Sequence, residues 1–265
     1  DKTGFIKEWW DSGDSVTLIT RPRRFGKTLT MSMLEKFFSL NYADRGDLFE
    51  GLSIWKEKSP DGDYKYRKLQ GTYPVIFLSF AQIKASDYQK MAYKITKVIA
   101  DLYERNSDLL AGNLLSENEK QYYKSIKPGM GEEIATDAIG SMSNFLRRRY
   151  GRDVIIILDE YDTPMQEAWT SGYWEEAAAF FGSLFNSTFK TNPYLYRGLI
   201  TGVTRISKES IFSGLNNLDV VTTTSDEYAT AFGFTQEEVF AALDALGYGS
   251  EKQEVKRWYD GFTFG

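Results

Sequence analysis

Two patterns of apolar residues alternate along the chain, short unbroken apolar runs and longer stretches with one apolar face. Unbroken runs rich in β-branched residues are typical of strands buried on both faces, and apolar residues three and four positions apart are typical of amphipathic helices. The predicted strands lie at 15–20, 74–80, 153–162, 195–204 and 218–225. The predicted helices lie at 28–40, 87–105, 132–150, 173–190 and 235–246, and 106–131 is expected to be a connection with at most a short helix.

This order of elements predicts the fold class. Strands that alternate with helices indicate an α/β domain with a doubly wound, mainly parallel sheet. The most apolar run, DVIIILDEYD at 153–162, suits a central strand covered on both faces. We expect the α/β core to span 1–225 and a C-terminal helical part to begin within 226–265, where Thr235 and Glu238 have the spacing of a capping box.

Composition narrows the chemistry that the chain can carry out. The 265 residues include neither Cys nor His, which excludes disulfides, thiolate sites and histidine-based catalysis. Carboxylates, Lys, Arg, hydroxyls and a bound metal ion are left. The net charge of -5 argues against a surface coated with positive charge for non-specific DNA binding. No apolar run approaches the roughly 20 residues of a membrane span, and no signal peptide is visible, so a cytoplasmic protein without a membrane segment is expected.

The segment RPRRFGKT at 21–28 is close to the phosphate-binding loop pattern G-x-x-x-x-G-K-[ST], but Arg21 stands at the first glycine. A predicted strand precedes it and a predicted helix follows it, which is the context that such a loop requires. In this reading Lys27 reaches the outer phosphates and Thr28 binds Mg²⁺, while Gly26 lets the backbone approach closely. Nucleotide contacts are expected from Arg24, Phe25, Gly26, Lys27, Thr28 and Leu29. The alternative is a basic strand-to-helix loop with a chance Gly-Lys-Thr.

The second candidate motif is VIIILDE, an apolar strand that ends in Asp159 and Glu160. Asp159 is expected to hold Mg²⁺, and Glu160 to orient and activate the attacking water. The carboxyl ends of parallel strands meet at one edge of a sheet, where the phosphate loop also lies. The alternative for the two acids is a solvated strand end. Both motifs in the right order and context favour a nucleotide site.

Polar residues near the ends of two strands extend this candidate site. Asp162 is expected either to position Asp159 or Arg side chains or to cap the next turn. Thr201, Thr204 and Arg205 lie near the end of the fourth strand, where a sensor of the γ-phosphate is expected. Arg205 would stabilise charge in the transition state. Alternatively, it forms a structural ion pair with Asp162 or Glu160.

A set of motifs in order resembles the predicted AAA-ATPase-like family of bacterial proteins. The motifs are DKTGFI, TRPRRFGKT, YPVIFLSF, ILDEYDTPM, GLITGVTRIS, FGFTQEEV and YDGFTFG, and they extend over essentially the whole chain. In that family Arg commonly replaces the first glycine of the loop. The resemblance implies an ASCE-type P-loop NTPase fold with strand order 5-1-4-3-2. It also implies, in many members, a C-terminal domain similar to PD-(D/E)xK nucleases, which would begin beyond YDGFTFG.

The sequence therefore predicts an Mg²⁺-dependent module that binds ATP and hydrolyses it, with the nucleotide state controlling an attached or partner effector, such as a nuclease-like domain. The predicted catalytic residues are Glu160, Lys27 and Arg205, with Thr28 and Asp159 at the metal and Thr204 at the nucleotide. The base is expected near the N-terminal DKTGFI arm. The alternative is a non-hydrolysing scaffold whose Arg21, Arg23 and Arg24 bind nucleic acid. Assembly into a homo-oligomer and the choice between adenine and guanine stay open.

Overall fold

The computed structural model describes residues 1–206, 211–212 and 215–259, and its centre is a five-stranded parallel sheet. The strands are β1 (Val16–Thr20), β2 (Val75–Ser79), β3 (Val154–Asp159), β4 (Leu195–Gly202) and β5 (Leu218–Val221). Their order is β2-β3-β4-β1-β5, which read from the other edge is 5-1-4-3-2. The α/β fold class and this order are therefore confirmed.

Ten α-helices with bounds in the described residues surround or follow the sheet. They are α1 (Gly4–Ser12), α2 (Lys27–Phe38), α3 (Ser53–Lys56), α4 (Tyr88–Arg105), α5 (Glu117–Ser125), α6 (Glu132–Tyr150), α7 (Thr163–Ser171), α8 (Trp174–Phe185), α9 (Gln236–Ala245) and α10 (Lys252–Tyr259). The predicted helices are present, and α5 is the short helix expected within 106–131. The predicted helix 173–190 is α8 followed by a π-helical turn, Asn186–Lys190. No helix in the described ranges combines the length and apolarity needed to cross a membrane.

The central position of β3 follows from its apolar sequence. All six of its residues are buried, and successive side chains of a strand point to opposite faces. Ile156 and Leu158 pack in the core on the side of α4, α6 and α8. Ile155 and Ile157 pack in the core on the side of α1 and α2. The sheet is therefore covered on both faces, as the unbroken apolar run predicts.

The carboxyl edge of the sheet is where the candidate residues meet. In the strand register Thr20 lies beside Gly202, and Ser79 lies beside Asp159. The segments that leave these strand ends are therefore neighbours, although they are far apart in the sequence. They carry the glycine-containing loop after β1 and the acidic residues after β3.

Candidate functional site

The loop between β1 and α2 is shaped by two residues in the left-handed backbone region. Gly26 has φ 77° and immediately precedes α2, and Arg24 has φ 69°. Glycine adopts this conformation without a steric penalty, whereas a non-glycine residue there is uncommon. The loop thus curls over the start of α2. The first N–H groups of a helix have no partner within the helix, so they form a natural place for an anion.

Lys27 places a buried ammonium group inside this loop. Only 5% of the residue is exposed. Its Nζ donates to the carbonyl oxygens of Arg21 at 3.0 Å and Pro22 at 2.9 Å. Burial lowers the pKa of Lys27, and the neighbouring acids Glu160 and Asp159 oppose that effect. An anion at the loop would supply the compensating charge that the two neutral carbonyls do not.

Asp159 connects the loop to the acidic strand. The residue is fully buried, and its Oδ2 accepts a hydrogen bond of 2.7 Å from Thr28 Oγ1. Its Oδ1 accepts one of 2.6 Å from Thr201 Oγ1. The two motifs predicted to meet in space therefore do so through Thr28 and Asp159, which are 131 residues apart in the sequence.

Glu160 follows the strand in a strained conformation. Its φ is 54°, in the left-handed region that non-glycine residues rarely occupy outside functional or tightly determined sites. Its Oε2 accepts a hydrogen bond of 3.1 Å from Thr163 Oγ1 at the start of α7. This hydrogen bond orients a half-buried carboxylate that lines a cavity in front of the loop.

That cavity has a volume of about 580 Å³, and both basic and acidic side chains line it. Its lining consists of Arg23, Arg24, Gly26, Lys27, Thr28, Leu29, Ala81, Lys84, Glu160, Thr163, Gln166, Glu167 and Val203. Sequence reasoning missed Lys84, Gln166 and Glu167. All three lie in segments that follow the carboxyl ends of β2 and β3. Because ligands of α/β sheets bind at the carboxyl ends of the strands, these segments could have been searched for lining residues from the sequence alone.

A second cavity of about 1070 Å³ adjoins the first and is mainly apolar. It lies between α2, the N-terminal residues 1–3 and α9, and it shares Arg24, Gly26 and Leu29 with the first cavity. Phe25, predicted as a nucleotide contact, lines this second cavity. The first cavity is the more polar of the two, and the two meet at the lining residues that they share.

Asp162 holds the end of β4 in place. It occupies the position before α7, but its side chain makes no capping hydrogen bond there, so the capping prediction is wrong. Its Oδ2 instead accepts hydrogen bonds from Val203 N at 3.0 Å and from Thr204 N and Oγ1, both at 2.7 Å. Gln166 Nε2 donates to the same oxygen at 2.7 Å. The carboxylate therefore fixes the turn that follows β4.

The residues predicted as a γ-phosphate sensor are absent from the described lining of the first cavity. The Thr204 hydroxyl is engaged by Asp162, and Gln166, which does line the cavity, donates to Thr204 Oγ1 at 3.3 Å. Arg205 is exposed. A direct contact of either residue with a phosphate group stays a prediction.

Gly202 provides a stability test of this arrangement. A Cβ there would lie 2.6 Å from Asp162 Oδ1 and 2.7 Å from the Tyr161 ring. Gly202→Ala should therefore lower the free energy of unfolding by about 1–3 kcal/mol, as overpacking typically does. The control is Gly182→Ala in α8, where a Cβ meets nothing within 4 Å and Ala should be neutral or slightly stabilising. Urea denaturation of both variants measures the difference, and equal stabilities would contradict the close packing.

Arg21 corrects one part of the sequence-based picture. The nucleic-acid alternative groups it with Arg23 and Arg24, but Arg21 is fully buried. Its guanidinium donates to the carbonyl oxygens of Thr222 at 2.7 Å and Glu227 at 3.2 Å. Arg21 therefore faces the protein, and only Arg23 and Arg24 are exposed.

The site offers only a few protein oxygens that could bind a metal ion. Within the described ranges no group of three or more acidic side chains is arranged to hold a metal ion. The Thr28 hydroxyl and the Asp159 carboxylate are hard oxygen donors within 2.7 Å of each other. Mg²⁺ is commonly held by one or two protein oxygens, with water and substrate phosphates completing its octahedron. The residues present therefore fit Mg²⁺ better than a cation that needs an all-protein cage.

Comparisons with known proteins agree with this geometry. A family model described as "Predicted AAA-ATPase" matches residues 1–212, which include the loop, the acidic strand and the end of β4. An "uncharacterized protein in vnfD 5'region" of Azotobacter chroococcum mcd 1 is 29% identical over 266 residues. That similarity covers 100% of this chain and 45% of the relative, so the chain spans about half of the relative's length. No solved structure matches the chain.

Proposed function

Because this chain belongs to the predicted AAA-ATPase family, we propose that it binds ATP together with Mg²⁺ and hydrolyses the terminal phosphate. The observation that carries the proposal is the 2.7 Å contact between Thr28 and Asp159. It joins the loop that begins α2 to the acidic end of β3, beside the buried ammonium of Lys27. A loop lysine with a hydroxyl and a carboxylate beside it is the arrangement that phosphoryl-transfer sites use to bind phosphates and a metal ion.

The phosphates bind at the curl of the loop. The N–H groups at the start of α2 point at the phosphate oxygens, and the helix dipole favours their negative charge. Lys27 already lies in the loop, and rotation of its ammonium away from the carbonyls of Arg21 and Pro22 brings it to the outer phosphates. Arg24 supplies a second positive charge from the rim of the cavity.

Thr28 and Asp159 are the residues that would hold Mg²⁺. When bound, the ion neutralises part of the charge on the phosphate oxygens and fixes their geometry. Thr201 contributes indirectly, because its hydroxyl occupies the other carboxylate oxygen of Asp159. That hydrogen bond keeps Oδ2 directed at Thr28.

Glu160 is the proposed general base. Its carboxylate lines the same cavity as the loop residues, and Thr163 orients it. A water molecule between this carboxylate and the γ-phosphate would be aligned for in-line attack, and Glu160 would accept its proton. Thr204 would report the state of the γ-phosphate through Gln166, and Arg205 would stabilise transition-state charge.

The base of the nucleotide occupies the apolar cavity. Adenine is flat and largely apolar on its faces, and this cavity continues directly from the loop. Phe25 and Leu29 contribute apolar surface to it, and α9 closes one side. In this arrangement residues 1–225 form the nucleotide-binding core, and 226–265 begin a helical lid.

A slow switch is the biological role that we propose for this module. The bound nucleotide would control an effector, which is either a nuclease-like domain in the same polypeptide or a separate partner protein. If the chain forms a homo-oligomer, the copies would switch together. The 45% coverage of the relative from Azotobacter chroococcum mcd 1 is compatible with further segments in such proteins. The burial of Arg21 disfavours the nucleic-acid scaffold, because it removes one of the three cations that this alternative uses.

Removal of the metal tests the proposed site. In calorimetric titrations we expect Mg²⁺ to strengthen ATP binding to the wild type, and chelation by EDTA to weaken it. Thr28→Val removes the hydroxyl and keeps the side-chain volume, so it should abolish the Mg²⁺-dependent increment and spare the binding measured in EDTA. Thr136→Val on α6, outside the described lining of the cavity, is the control. An undiminished Mg²⁺ effect in Thr28→Val would refute the assigned metal ligand.

A further inference from the structure

We propose that Arg21 is a positioning residue that ties the phosphate loop to residues 222–233, called here the C-terminal strap, and couples nucleotide binding to the placement of α9. The coupling to nucleotide binding rests on the proposed function. The tether itself concerns contacts that exist without nucleotide. Arg21 replaces the glycine of the usual loop pattern, so this connection is available only because an arginine stands there.

The guanidinium of Arg21 donates hydrogen bonds to carbonyl groups at the end of β1 and in the strap. Nη1 donates to Thr20 O at 3.0 Å and to Thr222 O at 2.7 Å. Nη2 donates to Glu227 O at 3.2 Å and to Tyr228 O at 3.3 Å. The planar guanidinium offers five donors in a fixed fork, which a lysine ammonium cannot reproduce. One side chain thus holds three carbonyls of the C-terminal strap against the end of β1.

An aromatic ring of the same strap completes the environment of Arg21. The guanidinium carbon lies 5.6 Å from the centre of the Phe232 ring, within the range of a cation–π interaction. Burial lowers the pKa of Arg21, yet a guanidinium stays charged in proteins. The charge is therefore held inside the protein by carbonyl dipoles and a ring face. Without the strap in place, this environment would be lost.

Arg21 also lies directly behind the phosphate-binding atoms. Its backbone N–H donates to Gly202 O at 3.1 Å, and its carbonyl accepts the hydrogen bond from Lys27 Nζ. The position of the backbone at residue 21 therefore sets the resting place of the ammonium. A displacement of Arg21 along the strap would move the ammonium and the loop together.

A second connection joins the strap to the other end of the loop. Gly233 N donates to Phe25 O at 3.0 Å. Gly233 has φ 70°, and a Cβ there would lie 2.9 Å from the Phe25 ring, so the strap passes the loop at the closest distance that glycine permits. Lys2 Nζ donates to Thr230 O and to Glu238 Oε2, both at 2.7 Å. Glu238 belongs to the first turn of α9, so the strap and this helix are held by the same arm.

Coupling between the two sites follows from these contacts. Phosphates that bind to the N–H groups of the loop fix residues 24–28, and the strap is attached to the loop at residues 21 and 25. Nucleotide binding should therefore hold the strap and α9 in one arrangement. By linkage, anything that displaces α9 should weaken nucleotide binding by the same factor.

Hydrogen–deuterium exchange followed by mass spectrometry tests the tether without nucleotide. Arg21→Met keeps most of the side-chain volume and removes the donors. In the free protein it should speed exchange of the strap amides about tenfold or more, because hydrogen bonds to charged groups contribute more than neutral ones. Arg197→Met is the matched control. Arg197 is also buried, donates to Trp9 O and stacks on Trp9, but it lies near the start of β4, away from the loop. It should leave the strap unchanged.

The second arm adds Mg²⁺ and the non-hydrolysable analogue adenylyl imidodiphosphate at saturation. In the wild type and in Arg197→Met, the analogue should slow exchange in residues 21–30, in the strap and in α9. In Arg21→Met it should slow exchange in residues 21–30 and in the part of α9 that lines the apolar cavity, but not in residues 222–228 of the strap, which line neither cavity. Arg21→Lys keeps the charge but not the fork, and it should behave like Arg21→Met. This variant also serves if Arg21→Met does not fold.

Two results would overturn the inference. One is unchanged strap exchange in the nucleotide-free Arg21 variants, and the other is full protection of residues 222–228 by the analogue in those variants. A wild type that shows no response to the analogue contradicts the proposed function, and with it the coupling. In that case the nucleotide-free comparison still decides whether Arg21 holds the strap.

Discussion

Replacement of Glu160 by Gln should leave ATP binding nearly unchanged and lower the rate of hydrolysis by about two to four orders of magnitude, the usual contribution of a general base. The amide has the shape of the carboxylate and can still accept the hydrogen bond from Thr163 that the structure shows. It cannot take a proton from water at neutral pH. Phosphate release at saturating ATP measures the rate, and calorimetric titration measures the binding.

Glu175→Gln provides the control for this experiment, because Glu175 lies exposed in the first turn of α8. It removes the same charge and should hydrolyse ATP as the wild type does. A Glu160→Gln variant with the wild-type rate would show that the base is wrongly assigned. Loss of ATP binding in Glu160→Gln would instead mean that the carboxylate supports the nucleotide site rather than the attacking water.

Local sequence patterns were sufficient to predict the framework of the site. The apolar run that ends in Asp159 needed only its own composition to be recognised as a central strand, and its end defines the edge of the sheet. Gly26, Lys27 and Thr28 needed only the strand before them and the helix after them. Because parallel strands end at a common edge, the contact between Thr28 and Asp159 could also be predicted.

Long-range partners of polar side chains were beyond such patterns. The choice of Asp162 between capping α7 and binding Val203 and Thr204 depends on how closely β3 and β4 end together. Nothing next to Asp162 in the sequence distinguishes these alternatives. The prediction that Arg21 joins Arg23 and Arg24 in a basic cluster is wrong for the same reason. The carbonyl groups that accept hydrogen bonds from Arg21 lie about 200 residues later in the chain.

Short or interrupted helices were the other elements that the periodicity did not resolve. The helix α7 has nine residues and a proline in its first turn, so it presents too few apolar positions for a clear helical pattern. The change from α8 to a π-helical turn at Asn186 keeps a helical spacing of apolar residues, and periodicity therefore predicted one continuous helix. The cavity lining contributed by Gln166 and Glu167 was missed together with α7.

Lys27→Ala should weaken ATP binding by about 2–5 kcal/mol, the range for truncating one member of a buried, hydrogen-bonded charge pair. The phosphates would lose the cation that lies within the loop, and the N–H groups at the start of α2 cannot replace its full charge. The fold should tolerate the change. Burial disfavours the charged ammonium, as its lowered pKa indicates. Removing this buried charge therefore offsets part of the stability that is lost with the side-chain packing.

Calorimetric titration of ATP in Mg²⁺ into the wild type and Lys27→Ala tests the central claim most directly. Lys120→Ala, which removes an ammonium paired with Glu117 on α5, is the control for the loss of one positive charge. We predict saturable binding at one site in the wild type and in Lys120→Ala, and binding weakened by about 2–5 kcal/mol in Lys27→Ala. Equal affinity of Lys27→Ala and the wild type, or no heat of binding in the wild type, would contradict the account.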